Sequence, residues 1–369
     1  MNYLEKLLDG VEVEWKALGE VANYEQPTKY LVKSKVYNDN YTIPVLTAGK
    51  TFVLGYTNET EGIYKASENS VIIFDDFTTA NKWVDFDFKA KSSAMKMITS
   101  KDEKKVLLKY IYYWLNTLPN ELVDGDHKRQ WISNYSNKQI PIPCPNNPEK
   151  SLEIQQKIVG ILDRFSELTA ELTAELTARK KQYEYYREQL LTFEEGEVEW
   201  KPLGDVVNIK NGKDWKSLNP GNIPVYGSGG IMQYVDTFTY DKPTVLIPRK
   251  GTITNIFYVE SPFWNVDTIY YTEIDIKQII PKFFYYFMKS INLMQLDTGS
   301  GRPSLTQTLL NNIKIPIPPL EEQARIVSIL DKFDTLTTSI SEGLPKEIEL
   351  RTKQYEYYRN LLLNFPKDK

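Results

Sequence analysis

The chain has 369 residues, of which 41% are hydrophobic and 25% are charged, and its net charge is −4 at pH 7. This is the composition of an ordinary globular protein with room for two or more domains, and it excludes the strongly basic class of free-standing DNA-binding proteins. A single cysteine, Cys144, excludes an intramolecular disulfide, and a single histidine, His127, argues against a histidine-based metal site or catalytic triad. The sequence shows no secretion signal and no membrane-spanning run, so we expect a cytoplasmic protein.

Segments of the first half of the chain return in the second half in the same order. The sequence EVEWKALGEV at 12–21 returns as EVEWKPLGDV at 197–206, and IPIP at 140–143 returns at 315–318. Each IPIP segment is followed closely by a long helical pattern. Such repeats indicate two copies of one structural unit. The sequence therefore predicts two globular lobes related by a pseudo-two-fold axis, each followed by a helix. Because residues 3–8 are similar to 186–191, we also expect the chain to begin inside a helix end, with its termini close together.

Each lobe mixes short apolar runs with turn residues. The predicted strands are at 41–46, 71–74, 244–247, 253–259 and 268–274. One aromatic-rich helix is predicted in each lobe, at 104–118 and at 281–291. These aromatic side chains could form a base-stacking surface, but their helical spacing favours a place in the core. Both lobes are therefore predicted to be α+β.

Residues 153–193 carry apolar side chains at three- and four-residue steps, which predicts one long amphipathic helix. Such a helix spans roughly 60 Å and should lie against a partner helix. That partner is a second copy at 321–333 and 351–365, which we expect to break at the Gly-Leu-Pro of 343–345. The first copy contains LTAELTAELTA at 168–178. This four-residue repeat is either simple low-complexity helix or an adjustable spacer in which each unit adds about 6 Å.

Motifs for catalysis are missing from the sequence. There is no phosphate-binding GxxxxGK[ST] loop, and the Gly-rich segment 226–230 is interpreted as a turn or as a loop that contacts a ligand through its backbone. Pro318-Pro319-Leu320 does not match the motif of amino-methyltransferases. The acidic pair Asp75-Asp76 is interpreted as a loop feature. We therefore predict no catalytic residue and no metal site.

Polar and basic side chains form clusters in predicted loops. Residues of these types reach the phosphates and base edges of DNA, although solvated surface is the alternative for any one cluster. Two of the clusters lie at matching places, because 127–131 and 300–304 each come shortly before an IPIP segment. The candidate DNA-binding residues are Thr79, Asn81, Lys82, His127, Lys128 and Arg129 in the first lobe, and Lys210, Asn211, Lys213, Arg249, Lys250, Ser300 and Arg302 in the second.

Taken together, these motifs resemble the specificity subunit of a type I restriction-modification enzyme over essentially the whole chain. The resemblance is carried by EVEWKxLG and IPIP in each lobe and by QxxIVxILD[RK]F and RxKQYEYYR in each helix. It implies two target-recognition domains, at 1–148 and 194–318, each reading one half of an asymmetric bipartite site in duplex DNA. It also implies helical regions at 149–193 and 319–369 that pack as an antiparallel coiled coil and set the spacing of the half-sites.

The resemblance further implies partners that perform the chemistry of host defence. Two methyltransferase subunits that bind S-adenosylmethionine would dock on the helices, and motor-nuclease restriction subunits that use ATP with magnesium would join them. This chain would bind no cofactor. The residues expected on the docking helices are Ile158, Ile161, Phe165, Tyr183, Tyr186, Arg187, Ile326, Ile329, Phe333, Tyr355, Tyr358 and Arg359.

Two alternative functions stay open. A coiled-coil scaffold without DNA readout would explain the helices, but it would not explain two divergent lobes with basic loops. A reader that forms part of a self-contained DNA methyltransferase would explain the lobes, but the missing cofactor motifs argue against it.

Overall fold

The computed structural model describes residues 7–8, 10–49, 51–119, 129–194, 196–298, 301–339 and 341–365. The chain divides into two compact units. Unit 1 consists of Met1–Glu171 and Ile348–Lys369, and unit 2 consists of Leu172–Glu347. Both units combine β-sheets with helices, and long helices link them. The predicted α+β class, with two globular domains and linking helices, is confirmed.

Unit 1 begins with a series of short strands and ends in a long helix. Its elements are β1 (Val13–Ala17), α1 (Leu18–Val21), β2 (Ala22–Glu25), β3 (Ile43–Leu46), β4 (Val53–Thr57), β5 (Val71–Asp75), β6 (Asn81–Val84), β7 (Lys89–Ala90), β8 (Met95–Ser100), α2 (Leu108–Leu115), α3 (Gln130–Ser133), β9 (Gln139–Pro143) and α4 (Pro148–Leu191). Short 3-10 turns lie at Pro27–Tyr30 and Tyr135–Asn137. The helix α4 runs on from unit 1 into unit 2.

Unit 2 has the same kinds of element in a closely similar order. They are β10 (Glu199–Pro202), β11 (Val207–Lys210), β12 (Pro220–Gly227), β13 (Gly230–Val235), β14 (Thr244–Pro248), β15 (Phe257–Val259), β16 (Trp264–Asn265), β17 (Ile269–Ile274), α5 (Pro281–Ser290), α6 (Gln307–Asn311), β18 (Lys314–Ile317), α7 (Leu320–Thr338) and α8 (Gly343–Leu363). Short 3-10 turns lie at Leu203–Asp205 and Leu293–Leu296. The end of α8 belongs to unit 1.

The sheets of the two units have the same topology. Unit 1 contains a pair β1-β9, a four-stranded sheet β2-β8-β5-β6 and a three-stranded sheet β4-β3-β7. Unit 2 contains β10-β18, β11-β17-β14-β15 and β13-β12-β16. In each unit one pair of strands is parallel, β3 with β7 and β12 with β16, and the other pairs within these sheets are antiparallel. The sequence repeat is therefore a repeat of topology as well.

The aromatic helices lie in the two main cores, as their spacing predicted. Tyr110 and Ile111 of α2 are fully buried in the core of unit 1, and Phe283 and Phe284 of α5 are fully buried in the core of unit 2. The helix predicted at 104–118 is shorter than expected, because Asp102 accepts backbone hydrogen bonds in a turn that precedes α2. The strand predicted at 253–259 is also shorter, because a turn between Thr252 and Asn255 delays β15 to Phe257.

The long helix of the first copy is continuous over 44 residues, and Gly160 does not interrupt it. The second copy breaks between Thr338 and Gly343, so the predicted break is confirmed, but Gly343 and Pro345 begin the next helix instead of ending the previous one. Gly343 has φ +77°, and a Cβ at this position would lie 2.4 Å from the Thr335 carbonyl oxygen. Only glycine fits there, and a proline in the first turn needs no helical N–H. No described helix is long and apolar enough to span a membrane.

Candidate nucleic-acid interface

The loop that follows β5 in unit 1 is held to two other segments by the backbone of Asp76. The Asp76 N–H donates to the carbonyl of Ala94 at 2.9 Å, and the Asp76 carbonyl accepts a hydrogen bond from the N–H of Gln130 at 2.8 Å. Gln130 opens the short helix α3. The backbone of the loop is thereby tied to the start of β8 and to the start of α3.

The loop that follows β14 occupies the same place in unit 2. The Arg249 N–H donates to the carbonyl of Thr268 at 2.8 Å, and the Arg249 carbonyl accepts from the N–H of Leu305 at 2.9 Å. Thr268 immediately precedes β17, as Ala94 immediately precedes β8. Arg249 of unit 2 is therefore the structural counterpart of Asp76 of unit 1. The two candidate regions are equivalent loops of a repeated fold.

In unit 1 this position carries a buried ion pair. Asp76 and Lys96 are both 0% exposed, and Lys96 Nζ lies 3.1 Å from Asp76 Oδ2. The other carboxylate oxygen, Oδ1, accepts a hydrogen bond from the backbone N–H of Trp131 at 2.9 Å. The guanidinium of Arg129 lies 3.9 Å from Oδ2, and 48% of the Arg129 side chain is exposed. Of the predicted residues, Arg129 is therefore placed at the outer edge of a charged cluster that the sequence did not reveal.

The turn between β5 and β6 has a fixed shape. The carboxylate of Asp75 accepts hydrogen bonds from the N–H groups of Phe77 and Thr78, both at 2.9 Å. Thr79 has φ +60°, an uncommon conformation for a β-branched residue, and its side chain is 3% exposed. The side chain of Thr79 therefore shapes the turn from inside. The exposed residue of this turn that the sequence reasoning missed is Phe77, of which 44% is accessible.

Two further candidates of unit 1 lie on β6. The side-chain carbonyl of Asn81 accepts a hydrogen bond from Asn116 Nδ2 at 3.1 Å, so this side chain is already engaged within the unit. Lys82 is exposed. His127 and Lys128 lie outside the described residues, as does Ser300 of unit 2.

In unit 2 the structure brings four of the predicted residues together around two adjoining hollows. Lys250 and Ser304 line both of them. One hollow, of about 520 Å³, is also lined by Arg302, and the other, of about 390 Å³, by Asn211 and Arg249. No carboxylate lines either hollow among the residues that the structure describes. A concave surface lined by cations and neutral hydrogen-bonding groups attracts anions.

The cations at these hollows differ in how they are held. The guanidinium of Arg249 lies 6.0 Å from the ring centroid of Tyr270, which orients it without neutralising it. Lys250 and Arg302 are exposed, and neither forms an ion pair in the described part of the chain. Lys210 differs, because its ammonium lies 3.6 Å from the carboxylate of Glu273.

The Gly-rich segment 226–230 forms the turn between β12 and β13, which confirms the interpretation as a turn. Ser228 at its tip lines the larger hollow, and its carbonyl accepts a hydrogen bond from Asn255 Nδ2 at 3.2 Å. Lys213 is exposed and does not line either hollow. The candidate interface of unit 2 is thus built from several loops that are far apart in sequence.

A glutamine in each repeated helix motif fastens the helix to its own unit, which the sequence reasoning also missed. In unit 1 Gln155 donates to the carbonyl of Lys105 at 2.9 Å and accepts from the N–H just before α2 at 3.0 Å. In unit 2 Gln323 donates to the carbonyl of Gln278 at 2.9 Å and accepts from the N–H just before α5 at 2.8 Å. Both glutamine side chains are fully buried. We call these two glutamines the amide clamps.

An aspartate about two helical turns beyond each of these glutamines adds a charged contact. In unit 2 Asp331 accepts from the hydroxyl of Tyr286 at 2.6 Å and pairs with Lys282 Nζ at 2.8 Å. In unit 1 Asp163 accepts from the hydroxyl of Tyr113 and pairs with a lysine of α2, Lys109, at 3.0 Å.

The hydroxyl groups of Tyr113 and Tyr286 both have a raised pKa. Burial raises the pKa of Tyr113 and of Tyr286, and the hydrogen bond to the neighbouring carboxylate raises each further. The signal for these contacts was a lysine and a tyrosine four residues apart in each aromatic helix, at 109 and 113 and at 282 and 286.

The residues predicted for the docking helices are divided between core and surface. Ile158, Ile326 and Tyr183 are buried within their own units, so they stabilise the units and are not free surface. Tyr186 is exposed. The half-buried residues are Ile161, Phe165, Arg187, Ile329, Phe333, Tyr355, Tyr358 and Arg359.

Ring contacts join the two helix copies within each unit. In unit 1 Phe165 of α4 stacks on Tyr358 of α8, with ring centroids 5.3 Å apart. In unit 2 Tyr186 of α4 stacks on Phe333 of α7 at 5.6 Å. The predicted packing of the first helix copy against the second is therefore present in both units. Two arginines cover tyrosine rings on the same helix, Arg187 over Tyr183 and Arg359 over Tyr355, each at 5.5 Å.

Comparison with known proteins gives consistent results along the whole chain. The family described as type I restriction modification DNA specificity domain matches residues 10–179 and 195–350. The type I restriction enzyme EcoR124I/EcoR124II specificity subunit of Escherichia coli is 57% identical over 398 residues, which cover 100% of this chain and 98% of that protein. The EcoprrI specificity subunit, also of Escherichia coli, is 33% identical and covers 93% of this chain and 92% of its own length.

The fold is also similar to that of a solved structure. The crystal structure of the type I restriction-modification system S subunit from M. genitalium superposes with a TM-score of 0.67, at 21% identity, and covers 100% of both chains. Within the described residues, no group of three or more histidine, cysteine, aspartate or glutamate side chains is arranged to hold a metal ion.

Proposed function

The chain belongs to the specificity subunits of type I restriction-modification enzymes, and from this premise we propose which of its surfaces read DNA and which bind partners. Subunits of this family recognise DNA sequence through two target-recognition domains, work within a larger complex and are not themselves catalytic. The observation that carries the proposal is the equivalence of the loops at Asp76 and Arg249. They occupy the same place in two copies of one fold, yet they carry different side chains.

We propose that unit 2 reads one half-site with the surface around its two hollows. Exposed Lys250 and Arg302 would meet phosphate oxygens or guanine edges, which are the usual targets of these side chains. Asn211 offers an amide that can pair with adenine, and Arg249 adds a guanidinium oriented by Tyr270. The absence of a carboxylate from the described lining leaves the positive charge of this surface available to DNA.

We propose that unit 1 reads the other half-site with the β5–β6 turn and with Arg129. Phe77 is exposed on a turn whose shape Asp75 and Thr79 fix, so it would offer an aromatic face to a base or sugar. Arg129 and the exposed Lys82 are the described cations that we assign to this surface. Unit 1 would therefore combine an aromatic contact with Arg129 and Lys82, whereas unit 2 would use Arg249, Lys250 and Arg302.

The helical regions would bind the partner subunits. In this proposal the target-recognition domains span 1–148 and 194–318, and the helical regions at 149–193 and 319–369 dock two methyltransferase subunits through their exposed and half-buried faces. Tyr186, Tyr358 and Arg359 support such a face because they are accessible on the helices. S-adenosylmethionine would be bound by the methyltransferase subunits, and ATP with magnesium by motor-nuclease subunits, in the cytoplasm. The net charge of −4 agrees with a reader that depends on partners for phosphate neutralisation.

Methylation by the complex of this chain with its methyltransferase partner tests the proposal. Sequencing of methylated DNA first defines the two half-sites, and oligonucleotides with one changed base pair in either half then measure discrimination. We expect Arg302→Ala and Arg129→Ala each to weaken discrimination in one half-site, a different half for each variant, by about tenfold. Lys314→Ala and Lys104→Ala, which remove exposed lysines outside the two surfaces, should leave both halves unchanged. Unaltered discrimination in both arginine variants would refute the assignment.

A further inference from the structure

A buried ion pair exists in unit 1 at a position where the described residues of unit 2 have none. Asp76 and Lys96 are both fully buried. Each charge loses its hydration when it is buried, and replacement of such a pair by apolar side chains is often neutral or stabilising. The pair is therefore poorly explained as a source of stability, and another reason for its presence must be sought.

The strand register shows that the fold itself does not require the pair. In unit 1 Phe74 of β5 is paired with Lys96 of β8. In unit 2 Ile247 of β14 is paired with Tyr270 of β17. Lys96 and Tyr270 are thus counterparts, as are Asp76 and Arg249. The same backbone framework accepts a carboxylate with an ammonium in one unit and a guanidinium over an aromatic ring in the other.

The carboxylate of Asp76 connects three elements of unit 1. Oδ1 receives the backbone N–H of Trp131, and the side chain of Trp131 is buried against the core. Oδ2 lies 3.1 Å from Lys96 Nζ and 3.9 Å from Arg129 Nη1. The ammonium of Lys96 is attracted to Asp76 more strongly than the guanidinium of Arg129 is, because Coulomb energy falls with distance. Arg129 is consequently held at the edge of the cluster with nearly half of its side chain exposed.

We infer that Asp76 and Lys96 form a positioning pair for DNA recognition: Asp76 holds Arg129 and the start of α3 in place, and Lys96 balances the charge of Asp76 from inside so that Arg129 keeps its half-exposed position. This inference rests on the proposed function of unit 1. Neither Asp76 nor Lys96 touches DNA in this mechanism, because both are fully buried. Both act through the position of Arg129.

The double variant Asp76→Leu with Lys96→Met tests the inference, because it removes both charges together and leaves no buried charge unpaired. We expect the variant to assemble with its methyltransferase partner and to retain its discrimination in the half-site that depends on Arg302. In the half-site that depends on Arg129, we expect discrimination to fall about tenfold. A merely structural pair would instead lower the unfolding free energy of unit 1, which we expect the double variant to leave undiminished because apolar replacement of a buried ion pair is often neutral or stabilising.

A matched control comes from a buried polar pair of unit 2 that lies away from both surfaces. Thr244 and Thr272 are fully buried and their hydroxyl oxygens are 3.1 Å apart. Thr244→Val with Thr272→Val should leave discrimination unchanged in both half-sites. The single variant Lys96→Met should reproduce the loss seen in the double variant, because the unneutralised carboxylate of Asp76 would draw Arg129 inward.

The outcomes separate this inference from the proposed function. If Arg129→Ala changes neither half-site, the proposed role of unit 1 fails and the positioning pair fails with it. If Arg129→Ala changes one half-site while the double variant leaves that half unaltered, only the positioning pair is refuted. A double variant that does not fold or assemble also refutes it, because the inference holds that the fold does not need the pair.

Discussion

The two units share the parts that hold the fold to the long helices and differ in the loops that we assign to DNA. The amide clamps at Gln155 and Gln323 make the same pair of bonds to their own units. The counterparts Asp76 and Arg249, by contrast, carry opposite charges on the same backbone hydrogen bonds. Repetition therefore marks the residues that attach each unit to its helix, and divergence marks the loops that we propose as the DNA-reading surfaces.

The units also differ in the helices that link them. The helix α4 passes from unit 1 into unit 2 at Glu171 and Leu172 without interruption. The return helix α8 also passes from Glu347 to Ile348 without interruption, but a break separates it from α7 within unit 2. The continuous path contains the four-residue repeat at 168–178, and the broken path has nothing corresponding to it. If a helix sets the spacing of the half-sites, the four-residue repeat makes α4 the candidate for this role.

The largest effect is expected from deletion of one repeat unit, residues 172–175. The helix would shorten by about 6 Å and rotate by roughly 40° beyond a full turn, whereas DNA rises about 3.4 Å and turns roughly 34° per base pair. We expect methylation at the original spacing to fall at least 100-fold, and methylation to appear at targets whose gap differs by one or two base pairs. Sequencing of methylated DNA from cells that express the complex measures both.

The substitution Glu171→Gln is the control for this deletion, because it alters the repeat without altering its length. It should leave the target unchanged. A deletion variant that still methylates the original spacing as efficiently as the parent would show that the repeat is not a spacer. If the deletion variant instead methylated different half-site sequences, the repeat would affect base recognition as well as the spacing of the half-sites.

The second largest effect concerns the amide clamps. In Gln155→Leu a backbone carbonyl and a backbone N–H of unit 1 lose their partner in the interior, which costs about 3 kcal/mol of unfolding free energy. Gln323→Leu should cost unit 2 a similar amount, within about 1 kcal/mol, because its bonds are equivalent. Urea unfolding, with hydrogen exchange in α2 and α5 to distinguish the units, provides the measurement.

The neighbouring Gln156 offers a matched control, because it is exposed on the same turn of α4. Gln156→Leu should change the stability of unit 1 by less than about 0.5 kcal/mol. If Gln155→Leu were as mild as Gln156→Leu while Gln323→Leu remained severe, the two units would not be attached to their helices in the same way.

Sequence reasoning predicted the architecture well because the repeat is long and ordered. The duplicated EVEWK and IPIP segments became the strand pairs β1-β9 and β10-β18, and the apolar periodicity of 153–193 became a continuous helix. The order of strands in the sheets, including the parallel pairs, was not predicted. Periodicity shows that a segment is a strand but does not show which strand lies beside it.

The site was predicted less completely for the same physical reason. Arg249, Lys250 and Arg302 were named from composition, but only the fold shows that they share adjoining hollows. Asp76 was interpreted as part of a loop, and its partner Lys96 stands 20 residues away in sequence on a neighbouring strand. The amide clamps were missed because a glutamine on a helix resembles solvated surface until the neighbouring backbone is placed against it.

A smaller and pH-dependent effect is expected for the tyrosines bonded to the aspartates. At pH 8, Tyr113→Phe and Tyr286→Phe should each cost about 1–2 kcal/mol through the lost hydrogen bond to a carboxylate. Because burial raises the folded-state pKa of both tyrosines, the unfolded chain loses these protons first, near pH 10. The stabilisation is therefore complete below about pH 10 and declines as the pH rises further.

The measurement is the unfolding free energy of parent and variants from pH 8 to 11. The difference between the parent and each phenylalanine variant should shrink above about pH 10, to a similar extent in both units. Tyr357→Phe, at an exposed tyrosine of α8, is the control and should leave the stability unchanged. A difference that grows with pH would contradict the direction of the pKa shifts.

The smallest effect is expected from Lys250→Ala. This change removes one exposed ammonium from the hollows of unit 2. If Lys250 neutralises one phosphate, the slope of log K against log salt should fall by about 0.9 and the affinity by a few-fold, with unchanged base preference. Lys210→Ala is the matched control, because its ammonium already faces Glu273 at 3.6 Å and should contribute little to the slope. A larger change in slope for Lys210→Ala than for Lys250→Ala would show that unit 2 binds phosphate near β11 and not at its hollows. The proposed difference between the two units would then rest on the wrong surface of unit 2.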